Sequence, residues 1–197
     1  MRKDIQLMDK TNARQKLGLI EDKPVVAVLG GSQGSRPLNQ HFSKFHTDYS
    51  AKGIQVLWQC GYRDYPALNE IKNKDHLKIF PFSDDMGAVY SAADIVISRA
   101  GALAISEMAI MGKTMILVPF PHAAGDHQLK NAQSFADKGA AKIVLQSNLE
   151  PGDLEKTIWQ LFDNPEKLAT IESKASSLST PDALENIITV IMEVAQS

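Results

Sequence analysis

Cysteine is nearly absent from this sequence of 197 residues, and long apolar runs are missing altogether. The single cysteine, Cys60, cannot form an intrachain disulfide, and a lone thiol is typical of a reducing compartment. No apolar run approaches the roughly 18–20 residues that a helix needs to cross a bilayer. The first residues, MRKDIQLMDK, are charged and lack the apolar centre of a signal peptide. We therefore expect a cytoplasmic protein.

The sequence also lacks a strong excess of either charge. Its 21 Lys and Arg residues nearly balance 23 Asp and Glu residues, which leaves a formal net charge of −2. Such a balance gives no general attraction to nucleic acid or to an anionic membrane, so we expect no nucleic acid partner. Hydrophobic residues make up 44% of the chain and charged residues 22%, as is typical of a globular protein. A chain of this length favours one domain.

Apolar runs alternate with helical patterns along most of the chain. The apolar runs fall at 25–29, 54–59, 76–80, 94–98, 114–120 and 141–145. Helical patterns lie between them, at 37–49, 65–72, 84–92, 102–111 and 127–138, and a short one precedes them at 11–19. Alternation at crossover spacing predicts an α/β fold, with a Rossmann-like, six-stranded parallel sheet that carries helices on both faces.

The C-terminal part changes to helices alone. Proline stands near the first turn of three predicted helices, at 151–162, 165–178 and 181–195. No repeat or flexible linker separates this part from the preceding strands. We therefore divide the chain into an N-terminal segment with a short helix at 1–23, a Rossmann-like core at 24–150, and helices of the same domain at 151–197.

A glycine-rich loop, GGSQGS at 30–35, joins the first predicted strand to a helix. Glycines let the backbone approach a ligand, and a helix N-terminus offers N–H groups to phosphate oxygens; a tight turn without a ligand is the plainer alternative. A dinucleotide fingerprint needs an acidic residue after the second strand, where the sequence reads QCGY. In a Walker A loop a glycine precedes the Gly-Lys-Thr triplet at a fixed spacing. At that spacing before Gly112-Lys113-Thr114 this sequence has Glu107 instead. The sequence therefore argues against NAD and against a P-loop.

The stretch 98–131 places two loops and a helix N-terminus at one edge of the predicted sheet, because the strands at 94–98 and 114–120 both end there. Small residues open the helix, and Glu107 follows about two turns later. A carboxylate in this position can accept hydrogen bonds from two vicinal hydroxyls. A solvated carboxylate, or an ion pair with Lys113, is the alternative.

The loop PHAAGDHQ at 121–128 is polar and follows the second of these strands. His122, Asp126 and His127 could suggest a metal, but no further strong ligand is spaced to complete a site, so we predict none. The amide and carboxylate groups of this loop suit sugar hydroxyls better. Asp84 and Asp85 are better suited to capping the helix that follows them than to binding a cation.

Four segments occur together in an order and spacing that resemble a known family. They read GGSQGSRPLN (30–39), FSDDM (82–86), SRAGALAISE (98–107) and DHQLKNA (126–132). They are similar to the C-terminal domain of the MurG family, bacterial transferases that add N-acetylglucosamine to undecaprenyl-pyrophosphoryl-muramyl-pentapeptide. The resemblance covers essentially the whole chain. It implies the C-terminal half of a glycosyltransferase B fold, which binds the donor substrate UDP-N-acetylglucosamine and needs no cofactor.

The resemblance implies roles for the residues that bind the nucleotide. The amides of the glycine loop and the side chain of Ser32 would contact the diphosphate, and Arg2 would reach it from the N-terminal segment. The start of the helix at 102–106 would line the uridine and the diphosphate. Glu107 would hold the ribose hydroxyls.

Further roles follow for the base and the sugar. Ser83 would flank uracil through its backbone, and Gln128 with His127 would read the sugar hydroxyls. Ser83 and His127 depart from the family, which has a hydrophobic residue and a glutamine at these positions. The residues assigned to substrate binding are Arg2, Gly31, Ser32, Gln33, Gly34, Ser83, Ala102, Leu103, Ala104, Ile105, Ser106, Glu107, His127 and Gln128.

The resemblance also implies that half of an enzyme is missing. The N-terminal domain of the family carries the acceptor-lipid site, a glycine loop of its own and the proposed general base. We therefore expect no catalytic residue in this chain, a partner that is either that domain or a subunit in its place, and membrane contact only through that partner, at the inner face of the cell membrane. An excised C-terminal half is the main interpretation. A separately encoded subunit, as in eukaryotic two-subunit transferases that build dolichol-linked chitobiose, is the alternative.

Two other functions stay open from the sequence. Alone, the chain could be a binding module without turnover. The helix predicted at 181–195 carries an apolar stripe that suits a partner or its own domain equally well. A UDP-sugar epimerase, which shares this fold family, is a third reading that would also need a second domain. The stripe consists of Leu184, Ile187, Ile188, Ile191 and Ala195.

Overall fold

The computed structural model describes residues 8–68, 70–71, 74–150 and 152–179. Arg2 and the helix predicted at 181–195, with its apolar stripe, lie outside the described residues. The strands in the described part are β1 (Val25–Leu29), β2 (Gln55–Gln59), β3 (Leu77–Phe80), β4 (Ile95–Ser98), β5 (Thr114–Leu117) and β6 (Lys142–Ile143). Its α-helices are α1 (Lys10–Lys16), α2 (Arg36–Ala51), α3 (Met86–Ala92), α4 (Ala102–Ile110), α5 (His127–Ala136), α6 (Asp153–Phe162) and α7 (Pro165–Ser177).

The strands form one parallel sheet in the order β3-β2-β1-β4-β5-β6. This arrangement confirms the predicted α/β fold. The order places β1 beside both β2 and β4, so the chain runs outward from β1 in one direction and then returns to build the other half. A crevice forms outside the carboxyl ends of the strands at such a switch point, and open α/β sheets bind their ligands there.

Two apolar layers cover the sheet, one on each face. Along β1 the side chains alternate, so that Val25, Ala27 and Leu29 join one layer while Val26 and Val28 join the other. The first layer contains side chains from α1, α3, α4 and α5, and the second contains side chains from α2 and α6. Because every residue of β1, β2, β4 and β5 is buried, these strands have no solvent-exposed face, as the continuous apolar run at 25–29 predicted for β1.

Several predicted elements are shorter in the structure than in the sequence analysis. The helix predicted at 65–72 is reduced to a 3-10 turn at Tyr65–Leu68, followed by a turn at residues 70–71. Only Leu68 of the 3-10 turn is buried, so little packing stabilises a longer helix there. The strand predicted at 114–120 ends at Leu117, shortly before Pro119, which has no N–H group for a sheet ladder.

The described helices after residue 151 pack against the sheet core. Glu155 of α6 accepts hydrogen bonds through Oε1 from His41 Nε2 at 2.7 Å and from the Tyr49 hydroxyl at 2.9 Å, and both of these partners lie on α2. On α7, the backbone carbonyl of Leu168 accepts a hydrogen bond from Thr114 Oγ1 at 3.2 Å. The division of the chain into these parts stays a prediction.

Candidate functional site

A cavity of about 400 Å³ opens at the carboxyl ends of β1, β2 and β4. Its walls come from the glycine loop after β1, from α3 and from the first two turns of α4. It therefore occupies the crevice that the strand order creates. The residues that line it are Leu29, Gly31, Ser32, Gln59, Phe82, Met86, Tyr90, Ser98, Arg99, Gly101, Ala102, Leu103, Ala104, Glu107 and Gln128.

The glycine loop contributes Gly31 and Ser32 to this cavity. Gly31 and Gly34 have φ angles of +82° and +78°, in the left-handed region that favours glycine. At Gly34 a Cβ would lie 2.1 Å from the carbonyl oxygen of Cys60, so the loop touches the turn that follows β2. Gln33 and Gly34 thus lie against that turn and are absent from the lining, and their predicted contact with a diphosphate stays a prediction.

The N-terminus of α4 faces the same space. Gly101 precedes the helix and no side chain caps it, so its first N–H groups are available to a ligand. Ala102, Leu103 and Ala104 line the cavity. Ile105 is instead buried in the core beneath α4, and the hydroxyl of Ser106 donates to the carbonyl oxygen of Ala102 at 2.9 Å. The structure thus brings three of the five predicted residues of this turn to the cavity wall.

Glu107 lies at the cavity wall with 8% of its surface exposed. Its Oε2 accepts a hydrogen bond from the Tyr90 hydroxyl at 3.1 Å. The ion pair with Lys113 that the sequence left open does not form. The Lys113 ammonium group donates to the carbonyl oxygen of Ala93 at 3.2 Å, and burial lowers the pKa of Lys113. The carboxylate is therefore held by a neutral donor and stays available to a ligand.

Gln128 joins the two loops that end β4 and β5. Its Oε1 accepts hydrogen bonds from the backbone N–H groups of Ala100, at 3.2 Å, and Phe120, at 3.0 Å. Because these two donors fix the orientation of the amide, the NH₂ group of Gln128 is the part that can donate to a ligand. His127 is exposed, outside the cavity wall, and its Nδ1 lies 2.9 Å from the carbonyl oxygen of Ala124.

Two further predicted residues lie away from the cavity or outside the described part. The hydroxyl of Ser83 accepts a hydrogen bond from the N–H of Asp85 at 3.2 Å, and Ser83 is absent from the lining, whereas the preceding Phe82 belongs to it. Asp85 caps α3 by accepting from the N–H of Ala88 at 2.9 Å, as its position before the helix predicted. Arg2 lies outside the described residues.

Sequence reasoning missed several residues that line the cavity, among them Gln59, Met86, Tyr90 and Arg99. Gln59 ends β2, and Arg99 directly follows β4, so position at a strand end was a usable signal. Met86 and Tyr90 are four residues apart on α3 and share one face of that helix. That spacing was also visible, but nothing local indicated which layer the face would contact.

Arg99 is held by acceptors on two neighbouring segments. Its Nη1 donates to the carbonyl oxygens of Val118 and Pro119 at 3.1 and 3.3 Å, and its Nη2 donates to Gln146 Oε1 at 2.7 Å. Burial lowers the pKa of the Arg99 guanidinium. An arginine titrates far above neutral pH, so a fixed positive charge stands beside the cavity.

Comparison with known proteins places these features in a family. Residues 25–187 match the glycosyltransferase family 28 C-terminal domain. The chain is 38% identical over 196 residues to a UDP-N-acetylglucosamine--N-acetylmuramyl-(pentapeptide) pyrophosphoryl-undecaprenol N-acetylglucosamine transferase of Cytophaga hutchinsonii, an alignment that covers 98% of this chain and 53% of that protein. It is 34% identical over 191 residues to the protein of the same name from Chlorobium limicola, with 96% and 52% covered.

A solved structure shows the same arrangement of elements. The crystal structure of Acinetobacter baumannii MurG superposes with a TM-score of 0.79 at 29% sequence identity, and the match covers 96% of this chain and 54% of that one. The chain thus spans about half the length of the relatives that it matches. In the described part, no helix is long and apolar enough to cross a membrane.

Proposed function

Because this chain belongs to the glycosyltransferase family 28 C-terminal domain family, we propose that it is the donor-binding half of an N-acetylglucosaminyltransferase. The donor would be UDP-N-acetylglucosamine, bound in the cavity at the ends of β1 and β4. One observation carries this proposal: the glycine loop, the uncapped N-terminus of α4 and the carboxylate of Glu107 line a single cavity. These three groups together suit a nucleoside diphosphate, since two of them offer N–H donors to phosphate oxygens and the third accepts from hydroxyls.

The diphosphate lies at the N-terminus of α4 in this proposal. The first N–H groups of a helix point out of its end, and the helix dipole places partial positive charge there. The small side chains of Ala102 and Ala104 allow phosphate oxygens to approach the backbone, as glycine does at Gly31. Ser32 adds a hydroxyl donor, and Arg2 would reach the diphosphate from the N-terminal segment.

The nucleoside and the sugar extend from this point in opposite directions. Glu107 accepts hydrogen bonds from both ribose hydroxyls, because Tyr90 occupies Oε2 with only one bond and a carboxylate has further acceptor positions. The NH₂ group of Gln128, between the loops after β4 and β5, donates to a sugar hydroxyl. Uracil lies toward Phe82, next to the backbone of Ser83.

The transfer step itself requires a second half. An acceptor hydroxyl attacks the anomeric carbon, the bond from that carbon to the diphosphate oxygen breaks, and UDP departs with the electron pair. Negative charge grows on the departing diphosphate, and the N-terminus of α4 stabilises it. The base that takes the proton belongs to the other half. The relatives are named for N-acetylmuramyl-(pentapeptide) pyrophosphoryl-undecaprenol. In this proposal that lipid is the acceptor, and the complete enzyme acts in peptidoglycan synthesis at the cytoplasmic face of the membrane.

Titration with UDP-N-acetylglucosamine tests the donor proposal. We expect backbone amide shifts in an NMR spectrum to concentrate in residues 30–36 and 98–128, with few changes at the opposite end of the sheet. Titration with GDP-mannose is the control for recognition of the base and the sugar. The absence of shifts in both segments at millimolar UDP-N-acetylglucosamine would contradict the proposal.

The carboxylate of Glu107 is tested by the variant Glu107→Ala. Because hydrogen bonds to a charged group contribute about 1.5–3 kcal/mol, we expect UDP affinity to fall roughly 10- to 100-fold. Pyrophosphate has no ribose, so its affinity should change little or improve. Glu166→Ala, on the exposed first turn of α7, is the matched control and should leave both affinities unchanged. Equal losses for UDP and pyrophosphate would exclude the ribose role.

A second candidate is a binding module that does not turn over by itself. The observation behind it is that the groups lining the cavity are suited to holding a ligand. A transfer assay with the lipid-linked acceptor separates the two candidates. Both candidates predict no transfer by this chain alone. The donor-binding half predicts transfer after the N-terminal half of a relative is added as a separate subunit, whereas a binding module predicts none. Measurable transfer without any addition would contradict the need for a second half.

A further inference from the structure

Gln59 carries an unused hydrogen-bond acceptor at the wall of the cavity. It is the last residue of β2, lines the cavity and has only 4% of its surface exposed. Its Nε2 donates to the carbonyl oxygen of Gly31 at 3.1 Å. Its Oε1 is buried and has no hydrogen-bond partner among the described residues. Buried polar atoms are rarely left in this state, since an unmade hydrogen bond costs about 1–3 kcal/mol.

The orientation of this amide follows from its neighbour. The carbonyl oxygen of Gly31 can only accept, so the NH₂ group must face it and Oε1 must point elsewhere. Along β2, Leu57 lies in the layer that contains Tyr90, whereas Trp58 and Cys60 lie in the other layer. Gln59 is two residues from Leu57 and therefore shares its face, the face that α3 and α4 cover.

The chemistry of the cavity limits what can meet this acceptor. Glu107 and Gln59 both line the cavity, and each carries an oxygen acceptor that can take a further hydrogen bond, one charged and one neutral. A pyrophosphate group consists almost entirely of acceptors and cannot satisfy them. A nucleoside brings O–H groups on its ribose and, in uracil, an N–H group on its base. The two acceptors therefore suit the nucleoside end of a nucleotide.

We propose that Gln59 recognises the nucleoside, accepting a hydrogen bond through Oε1 from a base N–H, or from a ribose O–H whose proton it shares with Glu107, while its NH₂ group holds Gly31. This inference rests on the proposed function and adds a specificity residue to it. The same side chain then links nucleoside recognition to the loop that meets the diphosphate. A bound nucleotide satisfies the buried acceptor and leaves the hydrogen bond from Gln59 to Gly31 in place.

Calorimetric titration of three variants with a set of ligands tests this role. Gln59→Met keeps the length of the side chain and removes both polar atoms, Gln59→Leu removes them with a shorter side chain, and Gln59→Glu keeps an acceptor. The ligands are UDP, its 2′-deoxy, 3′-deoxy and N3-methyl analogues, and pyrophosphate. We expect Gln59→Met to weaken UDP roughly 3- to 10-fold more than pyrophosphate, the loss associated with one hydrogen bond.

The analogues identify the group that donates. Because Glu107 also holds the ribose, both deoxy analogues should bind the wild type more weakly than UDP. For the analogue that lacks the donor to Gln59, this weakening should be smaller in Gln59→Met than in the wild type, and for the other analogues it should be the same in both proteins. Gln59→Glu, which is the variant to use if the apolar ones do not fold, should keep the wild-type ratio of UDP to pyrophosphate affinity. Equal weakening of UDP and pyrophosphate in Gln59→Met would show that Gln59 only holds the glycine loop through Gly31, and would overturn the inference. Unchanged UDP affinity in Gln59→Met would also overturn it, while UDP binding by the wild type would leave the donor proposal intact. A wild type that does not bind UDP would overturn both.

Discussion

Several side chains of the cavity are held in place by protein groups before a ligand arrives. The Tyr90 hydroxyl holds Glu107, two backbone N–H groups hold Gln128, and the carbonyl oxygen of Gly31 holds Gln59. In each case the bond uses one side of the polar group and leaves the other side for a ligand. Such preorganisation reduces the loss of side-chain freedom on binding, because the rotamers are already restricted.

The variant Tyr90→Phe tests the support given to Glu107. Removing the hydroxyl leaves the carboxylate in the cavity without its fixed orientation, so we expect UDP affinity to fall roughly 2- to 10-fold, about the contribution of one hydrogen bond. Pyrophosphate affinity should not change. Tyr62→Phe, at an exposed tyrosine outside the cavity wall, is the matched control. An unchanged UDP affinity in calorimetry would show that Glu107 needs no support from Tyr90.

Substitutions at two glycines of the loop allow the cost of backbone strain to be distinguished from the cost of steric crowding. Both Gly31 and Gly34 have positive φ, so alanine at either position costs about 1–2 kcal/mol of backbone strain. At Gly31 nothing lies within 4 Å of the added Cβ, whereas at Gly34 the Cys60 carbonyl oxygen lies at 2.1 Å. We expect Gly31→Ala to lower the free energy of unfolding by about 1–2 kcal/mol and Gly34→Ala by more than roughly 3 kcal/mol. Urea titration measures both, and equal losses would contradict the close packing of the loop on the turn after β2.

At the scale of elements, α2 connects the cavity to the opposite end of the sheet. It begins after the glycine loop, and near its C-terminal end His46 Nδ1 lies 3.2 Å from Nε2 of His76, which precedes β3. The two rings stack at 5.4 Å between centroids. Burial lowers the pKa of His46, and Lys74 lowers it further. Burial and the neighbouring His46 lower the pKa of His76.

This pair gives the fold a dependence on pH that can be measured. Because the folded state disfavours protonation, the unfolded chain binds more protons below the ordinary histidine pKa of 6.5. The stability from the neutral pair is therefore complete above that pH and is lost as the pH falls below it. We expect the free energy of unfolding in urea to fall less between about pH 7.5 and about pH 5.5 in His46→Gln than in the wild type.

The exposed His122 offers a matched control for this experiment. His122→Gln should show the same pH dependence of unfolding as the wild type, because that ring stands in solvent beside Phe120. A His46→Gln variant whose stability follows the wild-type pH profile would show that the pair contributes nothing.

Most elements of the fold could be predicted from the sequence, and the exceptions have physical causes. Buried strands and long helices can be recognised from a short stretch of sequence, by its apolar composition or by the period of its apolar residues, as for β1 and α2. The prediction of a helix at 65–72 was wrong: Tyr65–Leu68 forms only a 3-10 turn, because one buried side chain does not stabilise several helical turns. β6 is only Lys142–Ile143, since an edge strand pairs on one side and its length depends on its neighbour.

For the whole molecule, the relation between the sheet and the C-terminal helices decides how it unfolds. The hydrogen bond between His41 and Glu155 joins α2 to α6, and Tyr49 packs edge-on against the Trp159 ring at 5.0 Å. Burial alone would raise the pKa of Glu155, but hydrogen bonds from His41 and Tyr49 lower it overall. These contacts link the two parts of the chain closely enough that we expect one cooperative unit.

The two tryptophans of the chain allow this expectation to be tested part by part. Trp58 lies in β2 and Trp159 in α6. The variant Trp159→Phe therefore leaves one fluorescent reporter in the sheet, and Trp58→Phe leaves one in the C-terminal helices. In each variant we expect the fluorescence transition in urea to coincide with the transition in far-ultraviolet circular dichroism. A Trp159 transition at lower urea than the dichroism transition would show that the C-terminal helices unfold separately.

The sequence by itself determined the class of fold, the position of the glycine loop and the presence of a carboxylate near a helix start at a sheet edge. These are local properties, because period, glycine content and strand ends can be read within one segment. Only the tertiary structure decided that Tyr90 would hold Glu107, that Gln128 would join two loops, and that Gln59 would line the cavity with a buried Oε1 that has no partner among the described residues. Such pairings join residues from different elements, and they depend on which strands are neighbours and which helix covers them. The order β3-β2-β1-β4-β5-β6 sets those neighbours, and no single segment encodes it.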